Sequence, residues 1–166
     1  MARIAKRQNA VKSESQRHIS QAGEILTSLI VPVIRLEGYF SRAGETIAAA
    51  GGQTLARWLV LETVGEAPAT VAHIARGLGY TRQSVQRVAD LLSQDGLTQY
   101  AANPAHQRSQ LVRITPLGRS TLSSIQRAQR IWADRVGSEI GKAELLKASA
   151  VVDNLTRILQ AEQQTH

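Results

Sequence analysis

A group of side chains with strong hydrogen-bonding capacity is concentrated in the stretch from Thr81 to Gly96. They are Arg82, Gln83, Ser84, Gln86 and Arg87. Arginine forms paired hydrogen bonds with phosphate or guanine, and glutamine can form them with adenine. These side chains could therefore contact the phosphates and base edges of a nucleic acid. The alternative is an ordinary solvent-exposed helix face that happens to be rich in arginine and glutamine, so the surrounding sequence has to decide.

The same stretch has the spacing of an amphipathic helix. Its apolar residues recur at i, i+3, i+4 and i+7 and are Val85, Val88, Ala89 and Leu92. That spacing places them on one face of a helix, which would pack on a core. Thr81 can cap the first turn through its hydroxyl, and Gly96 can end the helix.

The charge of the whole chain favours an anionic partner. The 166 residues suit one domain with helical extensions, and the formal net charge is +7. Of the 20 basic residues, 16 are arginine. Because arginine is the better residue for bidentate contacts, this bias favours nucleic acid over a merely soluble surface.

The residue types exclude several classes of protein. The chain has no cysteine, which excludes disulfides, thiolate metal sites and cysteine-based redox sensing. It has no apolar run near 18 residues and no apolar segment in the first 17, so we expect a cytoplasmic protein. The four histidines are dispersed without metal-ligand spacing. We therefore expect no metal, no cofactor and no enzymatic activity.

Two further helices are predicted before Thr81. Leu55 to Val64 is strongly apolar and predicts a buried helix, followed by a turn that could include one short strand. Thr70 can cap the next helix, whose apolar face consists of Val71, Ile74, Ala75 and Leu78. Two short helices joined by a glycine-containing turn around Gly79 predict a helix-turn-helix unit.

The stretch after Gly96 predicts a β-hairpin. Residues 97–102 and 111–115 have strand character, and in the second strand Val112 and Ile114 alternate with more polar positions. Asn103 and Pro104 predict a turn, and residues 105–110 form a polar tip. A hairpin directly after a helix-turn-helix is a wing, so the predicted fold is mainly α with a small β-hairpin (α+β).

The N-terminal third consists of a basic tail and a helical region. Residues 1–17 hold five basic residues and one acidic residue, which indicates either a disordered tail or an arm that contacts DNA. Residues 18–52 have a broad apolar helical stripe interrupted by Pro32, which predicts a kinked helix or two helices that meet there. The width of the stripe suggests burial against a second chain.

The C-terminal region from about Leu117 is predicted to be helical again, with a break between Gly137 and Gly141. Its second part carries an apolar seam at spacings of three and four residues, formed by Leu145, Ala148, Val152, Leu155 and Leu159. A dimer interface is favoured over packing within the chain.

The expected domain organisation is a tail (1–17), an N-terminal dimerisation region (18–52), a winged helix-turn-helix domain (53–118) and C-terminal dimerisation helices (119–166).

Together these features resemble the MarR family of bacterial winged-helix transcription regulators. In the helices, the matching residues are Leu55, Trp58, Val71, Ile74, Ala75, Thr81, Val88, Leu91, Gly96 and Leu97. In the wing and its exit, they are Asn103, Pro104, Arg108, Ser109 and the run from Leu111 to Gly118. The similarity is close from Leu55 to Gly118, and the flanking helices match by position and periodicity.

The resemblance implies a homodimer that binds a pseudo-palindromic site on double-stranded DNA. Each recognition helix, residues 81–95, would enter the major groove, and each wing, residues 97–115, the minor groove. The implied DNA contacts are Thr81, Arg82, Gln83, Ser84, Gln86, Arg87, His106, Gln107 and Arg108. Most members act as repressors. The competing hypothesis is a helical dimer that binds protein partners and has little affinity for DNA.

The wing tip departs from the family pattern. Family members usually carry Asp-Arg where this chain has His106-Gln107. The aspartate normally braces the wing, and the arginine normally enters the minor groove, where a narrow groove has the strongest negative potential. Arg108 remains as the basic residue of the tip, so it would take over that role or the wing would bind weakly.

The resemblance also implies an effector site. Many members release DNA when a small, often aromatic anion binds between the dimerisation helices and the winged unit. The candidate lining residues in this chain are Tyr39, Arg42 and Trp58, with Arg35 a further candidate. The alternative is that Tyr39 and Trp58 are simply core residues.

Overall fold

The computed structural model describes residues 19–106 and 108–165 and is predominantly helical. The helices are α1 (Gln21–Ala48), α2 (Leu55–Glu66), α3 (Val71–Leu78), α4 (Arg82–Gln94), α5 (Pro116–Ile140) and α6 (Lys142–Thr165). The strands are β1 (Ala69–Thr70), β2 (Thr98–Ala101) and β3 (Leu111–Ile114). Contacts divide the chain into one unit up to Arg42 and a second from Ala43 onward, and the helix-turn-helix and the sheet lie in the second.

Four helices of the second unit begin in the same way. The hydroxyl of a threonine accepts a hydrogen bond from the amide three residues later, which satisfies one of the free amides of the first turn. These threonines are Thr54 before α2, Thr70 before α3, Thr81 before α4 and Thr115 before α5. The predicted caps at Thr70 and Thr81 are thus confirmed.

The helix-turn-helix packs as its periodicity predicted. Val85, Ala89 and Leu92 of α4 are buried, and Val88 is half-buried against the same core. Gly79 ends α3 in the left-handed conformation with φ of 68°, a backbone geometry that glycine adopts without a Cβ penalty. The core extends to α2, the sheet and α5, where Leu61, Ile74, Val112 and Ile125 are among the fully buried side chains.

The predicted hairpin is present, and a third strand pairs with it. β3 lies between β1 and β2, and both pairings are antiparallel. Tyr100 lies opposite Val112, and Thr98 lies opposite Ile114. Val112 and Ile114 are buried whereas Arg113 is exposed, so the alternation expected for a strand with one covered face is confirmed.

The structure decides between the alternatives for two predicted helix interruptions. α1 runs without interruption through Pro32, so the region is one helix and not two. α5 continues through Gly137, and the break predicted between 137 and 141 narrows to Gly141, whose φ is 90°. Among the described helices, none combines the length and the apolar character that crossing a membrane requires.

Candidate nucleic-acid interface

The polar face of α4 is open to solvent. Arg82, Gln83 and Arg87 are exposed. Together with Gln86 they line a shallow surface groove of about 640 Å³. At 100° per residue these four positions fall on one side of the helix, opposite the buried stripe. The arrangement can present two guanidinium groups and two amides to a single ligand surface.

The start of α4 is held by its own side chains. Thr81 Oγ1 accepts from the Ser84 amide at 3.1 Å and also pairs with Ser84 Oγ at 2.8 Å. Both residues belong to the predicted set of contacts, and the structure gives both a capping role at the helix start. A phosphate could still approach there, because the first amides of a helix attract anions.

Gln86 is tied to the wing through a three-residue network. Its Nε2 donates to Asp90 Oδ1 at 2.9 Å and to Tyr100 Oη at 2.8 Å, and Tyr100 donates to Asp90 Oδ1 at 2.6 Å. Burial, with help from the Asp90 carboxylate, raises the pKa of Tyr100 to about 12. The network joins α4 to β2, so the helix and the wing are held in a fixed relation.

Sequence reasoning missed Asp90 and Tyr100 as parts of this site. Gln86 and Asp90 are four residues apart, which is the spacing at which helical side chains meet. That pair could have been found from the sequence. Tyr100 lies fourteen residues from Gln86 on another element, and no local pattern indicates their contact.

The far end of α4 is anchored to two other elements. Arg57 of α2 forms an ion pair with Asp95 at 2.5 Å. The carbonyl oxygen of Leu97 accepts from the Thr115 amide at 3.0 Å and from its hydroxyl at 3.1 Å. The exposed polar face of α4 is therefore fixed at the start by the cap and at the end by bonds to α2 and to the start of α5.

The wing tip has its own brace. Asn103 Oδ1 accepts from the Ala105 amide at 3.1 Å, and its Nδ2 donates to Ser109 Oγ at 3.1 Å. These two bonds close the tip from within. His106 and Arg108 are exposed. Gln107, the remaining predicted wing contact, lies outside the described residues, as does the basic tail 1–17.

The candidate effector residues have different surroundings. Tyr39 is exposed, and the guanidinium of Arg42 lies 4.6 Å from its ring centroid, a cation–π contact. Trp58 is 7% exposed and belongs to the core, and its Nε1 donates to Glu62 Oε2 at 2.9 Å. Glu62 also accepts from Gln126 of α5 at 2.9 Å, so Trp58 contributes to the packing of α2 on α5.

Comparison with known sequences decides the family. A sequence model of the MarR family matches residues 52–109, which include the whole helix-turn-helix and most of the wing. The chain belongs to the MarR family. Two uncharacterized proteins, one from Mycobacterium bovis and one from Mycobacterium tuberculosis, are each 38% identical to it over 136 residues. That alignment covers 82% of this chain and 93% of each relative.

Solved structures of MarR-like regulators share the fold. A MarR family transcription regulator designated SP03579 matches with a TM-score of 0.69 and 21% identity, over 95% of this chain and 99% of its own. A mutant MarR from E. coli, solved in complex with operator DNA, matches with a TM-score of 0.68 and 17% identity, over 82% and 99%. The M. tuberculosis regulator MOSR, solved in complex with DNA, matches with a TM-score of 0.67 and 20% identity, over 79% and 95%. These matches establish the winged-helix fold.

Proposed function

We propose that this MarR-family protein is a transcription regulator that binds specific sequences of double-stranded DNA through α4. The observation that carries the proposal is the exposed face of Arg82, Gln83 and Arg87 on a helix anchored at both ends. An α-helix is about 10–12 Å wide with its side chains, and the major groove of B-DNA is about 12 Å wide. Arginine and glutamine are suited to guanine, adenine and phosphate in that groove.

Two fold relatives support this mode of binding. E. coli MarR and M. tuberculosis MOSR were both solved with DNA, and both share the fold of this chain. Their identity to this chain is low, so the residues that contact DNA have to be inferred from this chain's own surface. Arg82 and Arg87 are the strongest candidates because both combine exposure with a bidentate donor.

In this proposal the wing contacts the adjacent minor groove. Arg108 is the basic residue of the described tip, and the Asn103–Ser109 bond holds the turn from which it projects. A narrow minor groove attracts arginine through its negative potential. His106 and Gln107 directly precede Arg108 in the sequence and complete the proposed wing contacts.

We also propose that the protein acts as a homodimer. In α1, exposed large apolar side chains include Ile30, Val33, Ile34 and Leu36; in α6 they include Leu146, Val151, Val152 and Leu159. Apolar patches larger than a few hundred Å² are rare on monomeric soluble proteins. A two-fold dimer would present two copies of α4 to successive major grooves, which matches a pseudo-palindromic site.

We further propose that the protein is a cytoplasmic repressor and that a small-molecule effector releases it from DNA. A repressor needs only to occupy DNA, which the geometry of α4 and the wing supports. The exposed Tyr39–Arg42 pair offers a ring and a cation to an aromatic anion. Trp58 is a buried core residue, so the proposal does not give it a direct contact with the effector.

Selection of binding sites from random duplexes tests the proposal. The proposal predicts enrichment of a pseudo-palindromic sequence. On that duplex, Arg82→Ala or Arg87→Ala is predicted to cost about 1–3 kcal/mol in affinity if the arginine contacts a base. Arg157→Ala removes the same charge from α6, where the arginine bonds Asn154 of its own helix, and serves as the matched control. Failure to enrich any duplex would favour the competing hypothesis, a helical dimer that binds proteins.

A further inference from the structure

Tyr80 is a large aromatic side chain that the core does not use. It lies in the turn between α3 and α4, is 48% exposed, and does not belong to the buried cluster that holds Ile74 and Val85. Its hydroxyl forms no hydrogen bond with any residue that the structure describes. Tyr80 therefore offers an apolar ring and a free hydroxyl donor to a partner.

The backbone of Tyr80 is nevertheless fixed on both sides. Its amide donates to the Ala75 carbonyl oxygen at 3.0 Å, which together with the left-handed Gly79 closes the end of α3. The next residue, Thr81, caps α4 by accepting from the Ser84 amide at 3.1 Å. The point from which the phenol projects is therefore fixed relative to the start of α4. A contact made from a fixed point costs little ordering entropy.

A cation lies on the same turn. Arg76 is exposed in the last turn of α3 and forms no ion pair with any described residue. Its carbonyl oxygen accepts from the Gly79 amide at 3.4 Å, so Arg76 and Tyr80 belong to one closed turn. A Cβ built at Gly77 or at Gly79 would meet nothing within 4 Å, so the surface around the turn is open to a large ligand. The turn presents a guanidinium and a phenol beside the exposed first turn of α4.

We propose that Tyr80 and Arg76 bind the phosphate backbone of DNA and set the position of α4 in the major groove. Arginine and tyrosine both donate to phosphate oxygens, and the first helix of a helix-turn-helix crosses the DNA backbone. The exposed side chains of α4 read the bases, and the turn fixes where they lie. Neither Tyr80 nor Arg76 discriminates between sequences, because every nucleotide carries the same phosphate. This inference rests on the proposed function, since it requires α4 to enter the major groove.

A conservative substitution tests the hydroxyl of Tyr80. Tyr80→Phe removes one donor and keeps the ring, so each bound protomer should lose about fivefold in affinity, the effect of one hydrogen bond. The loss should be the same on the selected duplex and on an unrelated duplex of equal length, because a phosphate contact is independent of sequence. Fluorescence anisotropy measures both affinities. Thermal melting followed by circular dichroism verifies that the variant is folded.

The salt dependence of binding separates the two residues. Arg76→Ala removes a charge that displaces a counterion from DNA, so the slope of log affinity against log salt should become less steep by about 0.9 for each protomer. Tyr80→Phe removes no charge and should leave the slope unchanged. Arg157→Ala removes a charge from α6, where the arginine bonds Asn154, and as the control should change neither affinity nor slope.

Methylphosphonate substitution identifies the phosphate that Tyr80 contacts. A neutral methylphosphonate replaces one phosphate at a time along the selected duplex. At the contacted phosphate, the cost of this replacement should be smaller for Tyr80→Phe than for the wild type by about fivefold, because the variant has already lost the hydrogen bond. At other phosphates the two proteins should lose affinity equally.

The outcomes are distinct. Wild-type affinity of Tyr80→Phe on both duplexes would overturn the inference, and so would a loss confined to the selected duplex, since that pattern indicates a base contact. An unchanged salt slope in Arg76→Ala would remove Arg76 from the site. If Arg82→Ala and Arg87→Ala weaken binding but Tyr80→Phe and Arg76→Ala do not, the inference fails while the proposed function stands. If the wild type binds no duplex at about 50 mM salt, the proposed function fails and this inference fails with it.

Discussion

Replacing Gly118 by alanine is predicted to destabilise the junction between the recognition helix, the wing and α5. A Cβ built on Gly118 would lie 2.1 Å from the Leu97 carbonyl oxygen and 2.8 Å from Ile114 Cγ1. Real Cβ atoms essentially never approach below 3.0 Å, so the backbone must move by nearly an ångström. The Leu97 oxygen is held in place because it accepts a hydrogen bond from the Thr115 amide at 3.0 Å. The Thr115 hydroxyl, which donates to the neighbouring Gly96 carbonyl at 2.7 Å, holds the same stretch of backbone.

The expected cost follows from those contacts. Stretching the Thr115 amide hydrogen bond, which contributes about 1 kcal/mol, together with local overpacking of about 1–3 kcal/mol, gives a loss of about 2–4 kcal/mol in the free energy of unfolding. Urea unfolding followed by circular dichroism measures it, at one fixed protein concentration because a dimer's stability depends on concentration.

Gly77→Ala is the matched control. A Cβ at Gly77 meets nothing within 4 Å, and Gly77 lies inside α3 without a positive φ. Alanine should therefore stabilise the helix by about 0.5–1 kcal/mol. The packing argument for Gly118 is wrong if Gly118→Ala unfolds at the same urea concentration as the wild type.

Three further predictions concern the network, the dimer and the wing. First, the tyrosinate absorbance should contain a step near pH 12 that Tyr100→Phe removes. Because burial, with help from the Asp90 carboxylate, favours the protonated phenol in the folded protein, the resulting contribution to stability is fully present below pH 10 and is lost as the pH rises from 10 to about 12. An unchanged alkaline step in the variant would contradict this assignment. Second, Val152→Glu should yield folded monomers by sedimentation whereas Lys147→Glu, at an exposed polar position of the same helix, should remain dimeric; dimers in both variants would refute the interface. Third, Asn103→Ala should accelerate amide exchange across the tip and weaken binding to the selected duplex about fivefold, since two bonds that close the tip are lost. Unchanged exchange would show that Asn103 is not the brace.

Local sequence patterns predicted most of the fold. The stripe of Val85, Ala89 and Leu92 predicted both the helix and its buried face, because side chains spaced by three and four residues share one side of a helix. Thr70 and Thr81 predicted helix starts, since a cap depends only on the next three residues. The short strand β1 was expected as an option, and its pairing with β3 fixes it in the sheet.

Contacts between residues far apart in the sequence could not be predicted from local sequence patterns. The bond between Gln86 and Tyr100 depends on how the wing folds back toward α4, and nothing in either segment alone specifies that distance. The Arg57–Asp95 pair joins residues thirty-eight positions apart for the same reason. The site residues on α4 were therefore named as one exposed set, whereas the structure divides them. Gln86 is half-buried and bonded to Asp90 and Tyr100, whereas the others are exposed, with Thr81 and Ser84 bonded to each other at the helix start.

The salt dependence of binding to the selected duplex tests the central claim most directly. Fluorescence anisotropy would measure the affinity across a range of salt concentrations. If α4 and the wing neutralise DNA phosphates, log affinity should fall linearly with log salt, with a slope near −0.9 for each phosphate contacted. A protein that binds no duplex even at about 50 mM salt, where electrostatic binding is strong, would contradict the account.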